Sequence, residues 1–194
     1  MKKFISLVMV LAMMLTLLVG CGGNETAPVT TDAPAAEVPA TALEILEKVW
    51  ADYSDDEKFA IVGGNIEAGI MDAPGSYDMA YAENMTYNLL IPAEQLSNIT
   101  EAASMIHMMN ANTFTCGVFR LAEGVAAADF GAAMQTAVQG NMWMCGFPET
   151  LLIKNIGDAY VLVAFGVNDA MGPFATHFNA VYPAAVTLVD EPIA

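Results

Sequence analysis

Positive charge is scarce in this chain. Against 22 aspartates and glutamates its 194 residues carry six lysines and arginines, a net charge of −16 at neutral pH. That balance excludes nucleic-acid binding, because phosphates need a basic surface. Histidine is scarcer still: with only His107 and His177, a multi-histidine zinc site cannot be assembled without carboxylates or thiols. The three cysteines form no CxxC pair, which disfavours thiol–disulfide catalysis. Patterns for a P-loop, GxSxG, HExxH, GxGxxG or EF-hand loop do not occur in usable form. Carboxylates such as Asp72, Asp78 and Glu83 meet by chance in so acidic a chain, and the acidity reads as solubility and repulsion between copies. An apolar fraction of 56% still rules out a mostly disordered protein.

Long apolar runs are missing as well, except at the start. Met1–Lys2–Lys3 followed by the apolar stretch Phe4–Val19 reads as an export signal over residues 1–20, shorter than the roughly 20 residues a bilayer-spanning helix needs. Its end, Leu18–Val19–Gly20–Cys21, resembles the lipobox of bacterial lipoproteins. That resemblance implies an acylated Cys21 as the new N-terminus and stable attachment to the membrane through its acyl chains. With Lys2 and Lys3 removed, the mature chain holds 22 acids against four bases, a net charge of −18. Residues 22–40 contain Pro28, Pro34 and Pro39 and show no apolar period, so residues 21–40 read as the lipidated cysteine and a flexible tether.

The remainder, 41–194, is long enough for a single domain. Thr41–Ala42–Leu43–Glu44 is a capping box, and Leu43, Leu46, Val49, Trp50 and Tyr53 follow at helical spacing, which predicts an amphipathic helix. Ser54–Glu83 reads as loop with short pieces, Thr86–Ile91 as a strand and Ala93–Ile99 as a short helix. From residue 113 to about 190 the pattern becomes regular. A strand over Thr113–Leu121 and a helix over Ala126–Gln139 come first. Strands Thr150–Ile156 and Tyr160–Gly166 then flank a turn at Gly157–Asp158. A helix within Asp169–Tyr182, with Pro173 in its first turn, and a strand at Ala185–Val189 complete the series. The order β-α-β-β-α-β predicts an α+β fold of ferredoxin-like type, an antiparallel sheet covered on one face by helices and preceded by the N-terminal helix.

Sulfur and aromatic groups concentrate in two places: Met105, His107, Met108 and Met109, and then Met142, Trp143, Met144 and Cys145. Methionine fills gaps in cores and also builds adaptable binding surfaces, so the two stretches form a candidate ligand or partner surface. Soft sulfur with an imidazole also suits copper(I), and Met105, His107, Met109 and Cys145 are the alternative metal donors. On a helix, Met105 and Met109 would share a face that His107 leaves, which argues against a site within one helix. His107 is also placed to hydrogen-bond Asn110 or Asn112. His177 has no assigned role. Cys116 and Cys145 are either a disulfide closing a 28-residue span, worth about 2–4 kcal/mol, or two free thiols.

Ile106–Gly117 (IHMMNANTFTCG) and Trp143–Leu151 (WMCGFPETL) give the chain a likeness to small uncharacterised lipoproteins of clostridial gut anaerobes, which carry a domain of unknown function. The likeness implies an extracytoplasmic, lipid-anchored address on a Gram-positive surface and brings no activity and no catalytic residue. The expectation is a non-enzymatic module without a cofactor. It would be held to the membrane through Cys21 and would take a small apolar ligand, a peptide or a protein partner on the methionine and tryptophan cluster. Copper-type metal binding is the alternative.

Overall fold

The computed structural model describes residue 39 and residues 41–65, 68–109, 111 and 113–194. The leader, Cys21 with its lipobox, and the rest of the tether lie outside the described residues, as do Asn110 and Asn112. Helix α1 spans Ala42–Asp52, with Thr41 Oγ1 accepting from Glu44 N–H at its start. Three short strands follow, β1 (Ile61–Gly63), β2 (Ile70–Met71) and β3 (Gly75–Ser76), then a 3-10 helix at Met79–Asn84 and α2 (Met85–Asn88). A second 3-10 helix at Ala93–Asn98 leads into β4 (Ile99–His107) and β5 (Phe114–Leu121). The rest of the chain is α3 (Ala127–Gln139), β6 (Thr150–Ile156), β7 (Tyr160–Gly166), α4 (Asn168–Val181) and β8 (Val186–Pro192).

The fold is α+β, built on one antiparallel sheet in the order β2-β1-β4-β5-β7-β6-β8, with β3 also paired to β4. Central strands are apolar at nearly every position: all seven residues of β7, YVLVAFG, are buried. Side chains alternate across a strand, so such a run requires cover on both faces. Tyr160, Leu162 and Ala164 join one core with Ile45, Val49 and Trp50 of α1 and Phe174 and Phe178 of α4. Val161, Val163 and Phe165 join a second core with Phe130, Met134 and Val138 of α3.

This corrects the ferredoxin-like expectation. In that arrangement the last strand returns beside the first strand of the motif, and both helices share a face. Here β8 pairs with β6, at the far edge, while the place beside β5 belongs to β4. The crossovers β5-α3-β6 and β7-α4-β8 therefore run the same way across the sheet from strands of opposite direction. Right-handed connections then put α3 and α4 on opposite faces.

Local structure departs from the sequence reading, or supplies what it left open, at three places. Thr86–Ile91 is not a strand: Met85–Asn88 is one helical turn, and Leu89 N–H and Ile91 N–H both bond Met85 O. Ser104–His107 is the end of a nine-residue strand, where sulfur and alanine masked the period-two pattern. Pro173 lies in the second turn of α4, not the first, because that helix starts at Asn168. The β6–β7 turn runs through Gly157, Asp158 and Ala159, with Gly157 at φ 60°, where a side chain would be strained. His177 of α4 stacks on Tyr53 with ring centres 4.0 Å apart, and its Nδ1 lies 2.8 Å from Asp52 Oδ2, tying α4 to the end of α1.

Consecutive residues of β6 test the two-sided sheet. Leu152 belongs to the α1/α4 core and Ile153 to the α3 core. Leu152→Ala and Ile153→Ala should each lower stability by about 2–5 kcal/mol in denaturant unfolding, whereas a sheet covered on one face would leave one of them nearly neutral.

Candidate functional site

At the end of the sheet where β4 turns into β5, a cleft of about 170 Å³ opens between Leu90, Ile106, Thr115, Phe165 and the segment carrying Trp143 and Cys145. Its position follows from strand alternation. Ile106 and Thr115 point toward the α3 side of the sheet, while Met105 and Cys116 point the other way into the α1/α4 core. Residues adjacent in sequence are thereby separated by the thickness of the sheet.

The two sulfur-rich stretches meet here, but not with all their members. His107, Met109, Trp143 and Cys145 line the cleft. Met105 does not: it is fully buried on the opposite face. Met108 and Met144 are exposed beside it, and Met108 N–H bonds Ala60 O at 3.1 Å. Met142, Met144 and Phe147 stand 89%, 87% and 66% exposed on the same segment, and Tyr87 and Met109 add exposed apolar surface. Tyr87, Leu90 and Phe147 were not singled out in the sequence. Leu90 fell inside the expected strand Thr86–Ile91, and its φ of 56° was not foreseeable from residue type.

Trp143 packs against Phe165 with ring centres 5.6 Å apart. Its Nε1 is buried and finds no acceptor among the described residues, a cost of roughly 1–3 kcal/mol for a sheltered donor. Leu90 lines the same cleft in the left-handed backbone region, which costs a branched residue about 1–3 kcal/mol. Two unfavourable features thus border one small opening.

His107 lies flat on Phe59, with ring centres 5.1 Å apart and planes 8° from parallel. Its Nδ1 accepts from Met109 N–H at 2.9 Å, so the proton of the neutral ring resides on Nε2. Burial lowers its pKa below the usual 6.5 and keeps it neutral. With one nitrogen accepting and the other protonated, neither lone pair is offered to a metal in this arrangement. The four-donor copper set is therefore not assembled: Met105 is on the wrong face, His107 is committed, and two sulfurs remain. Among the described residues no group of three or more His, Cys, Asp or Glu side chains is placed to hold a metal ion.

Cys116 and Cys145 are both free thiols. The disulfide alternative fails because Cys116 is fully buried against α1 and α4, while Cys145 is exposed in the cleft on the other side. Burial in apolar surroundings pushes the Cys116 thiol well above its ordinary pKa, so it is inert. Cys145 makes no hydrogen bond to His107, so the two do not form a nucleophile–base pair.

Comparison of the chain with protein-family models, with curated proteins and with solved structures finds no match. The chemistry of the cleft is thus argued from its own residues.

Two expected outcomes follow from this geometry. Iodoacetamide should label Cys145 in the native chain and Cys116 only after unfolding, as read by peptide mapping. Because His107 holds its proton less readily when folded, stability should fall as pH drops from about 6.5 through its lowered pKa. Protonation converts Nδ1 to a donor and breaks the bond to Met109, so the Met109 amide resonance should shift over the same pH range, and His107→Gln should abolish that shift.

Proposed function

We propose that this chain is a non-enzymatic, lipid-anchored module of a bacterial cell surface, and that its cleft receives one apolar side chain of a protein or peptide partner. Cys21 is the lipidation site in this reading and the proline-containing tether is a spacer. The observation that carries it is the combination at one place: a small cleft, a sheltered indole N–H without an acceptor among the described residues, and a rim of exposed methionine and aromatic groups. About 170 Å³ falls below the roughly 300–1,000 Å³ typical of small-molecule sites, which favours a single side chain over a free ligand. A partner's backbone carbonyl would satisfy Trp143 Nε1 once the segment around Met142–Phe147 yields slightly. Exposed methionines adapt to an anchor of varied shape, and surrounding contacts need only exclude water.

Charge narrows the partner. A mature chain with a net charge of −18 repels acidic proteins and steers basic ones, so the anchor should be flanked by lysine or arginine. A catalytic reading has less support, because His107 and Cys145 are unlinked and no carboxylate or lysine is among the described residues that line the cleft.

Display of random peptides on the full chain in lipid vesicles tests this. Selected peptides should share one aromatic or aliphatic anchor beside basic residues, and binding should change Trp143 emission. Trp143→Phe, which keeps the ring and loses the N–H, should weaken binding roughly tenfold, and Met144→Glu should weaken it at the rim. Peptides that bind both variants as well as the native chain would remove the cleft from consideration.

A further inference from the structure

A second depression borders the loop that follows β1, and the approach to that loop is built with unusual constraint. Gly63 of β1 and Gly75 of β3 approach so closely that a Cβ on Gly63 would stand 2.2 Å from Gly75 N. Gly64 follows at φ 78°, where a side chain would also meet Ser76 O at 2.6 Å. Ser104 of β4, fully buried, brackets that residue: its Oγ accepts from Gly64 N–H at 3.1 Å and donates to Gly64 O at 3.2 Å. Three glycines and one serine thus hold the loop that delivers Asn65.

Asn65 is only 9% exposed. Its Oδ1 accepts from Asp78 N–H at 2.6 Å, which sets the orientation of the amide. The other end, Nδ2, is buried and has no acceptor among the described residues. A buried donor left unpaired in a rigid loop is costly, and an incoming acceptor would relieve that cost. Asn65 lines a cavity of about 340 Å³ together with Ala68, Asp78, Tyr81 and Asn84. That volume is within the range of small-molecule sites, unlike the cleft at Trp143.

The lining selects a ligand class. A bare cation is unsuited to Asn65, which presents a donor. An anion is repelled by the carboxylate of Asp78, one oxygen of which is held by Ala80 N–H at 2.9 Å. Tyr81 offers its ring, 60% exposed, as an apolar platform. Asn84 does not spend its side-chain amide on capping α2. A neutral molecule with hydroxyl or acetamido groups on its edges and C–H bonds on one face satisfies all four side chains. We propose that Asn65, Asp78, Tyr81 and Asn84 form a binding site for a neutral saccharide, independent of the cleft at Trp143. The sugar ring stacks on Tyr81, a hydroxyl or acetamido oxygen accepts from Asn65 Nδ2, and hydroxyls donate to Asp78.

Saturation-transfer NMR tests the site on the full chain in lipid vesicles free of glycolipid. The probes are the methyl glycosides of glucose, galactose, mannose and N-acetylglucosamine at millimolar concentration. Transfer to the C–H protons of at least one glycoside is expected, with binding weakened roughly tenfold or more in both Tyr81→Ala and Asn65→Asp. Asn65→Asp keeps the oxygen that accepts from Asp78 and replaces only the free donor, and thermal melting verifies that each variant is folded. Should Asn65→Asp fail to fold, the exposed Tyr81→Ala decides alone. No transfer to any of the four glycosides overturns the proposal, as does transfer that survives either substitution in a folded chain.

Discussion

The burial of the β6–β7 hairpin on both faces is the constraint from which the rest of the architecture follows. An antiparallel hairpin with one wet face would alternate apolar and polar residues, whereas β7 offers side chains to two cores in turn. Cover must then arrive on both sides, and right-handed crossovers deliver it only if the second one continues across the sheet in the direction of the first. β8 accordingly closes the edge beyond β6, and α1 shares with α4 the face that α3 leaves open. Lys154, buried on β6, shows how completely that face is enclosed: its ammonium group reaches Asn179 and Thr187.

Both candidate sites lie where this cover ends. β4 is flanked outwardly by two short strands rather than one long one, and the residues between them must turn sharply against its edge. The Trp143 cleft sits at the ends of β4 and β5, and the Asn65 depression borders the loop that follows the glycine contact between β1 and β3. Each contains a buried donor without an acceptor among the described residues, Trp143 Nε1 in one and Asn65 Nδ2 in the other. A rigid two-faced core of this kind supports irregular segments at its margins, where unpaired polar groups and a strained Leu90 are tolerated.

Much of the regular part was legible because its signals are local. The capping box at Thr41, the apolar spacing of α3 and the glycine turn between β6 and β7 each depend on residues a few positions apart. β4 was not legible, since Ala102, Ala103, Met105 and His107 lack the β-branched enrichment that marks a strand, and pairing with β5 overrides that weak preference. Thr86 and Tyr87 carry strand propensity yet sit in a helical turn, for the same reason in reverse. The two-sided core did leave a trace: TLLIKNI and YVLVAFG fail to alternate, a pattern that a sheet with one wet face does not produce.

Residue chemistry and short-range periodicity were determined by the sequence alone. It set the acidity, the scarcity of imidazole and thiol, the sulfur-rich stretches and the positions of α1, α3, α4 and the strands β5 to β8. Only the tertiary structure decided which strand β8 joins, which face each helix covers, and that Met105 and Cys116 turn away from His107, Trp143 and Cys145. The reason is physical: a single-residue step along a strand reverses the direction of a side chain, and the choice of neighbouring strand rests on contacts distant in sequence. Composition can bring methionine, histidine and cysteine near one another in the chain, but strand pairing determines which of them share a cleft.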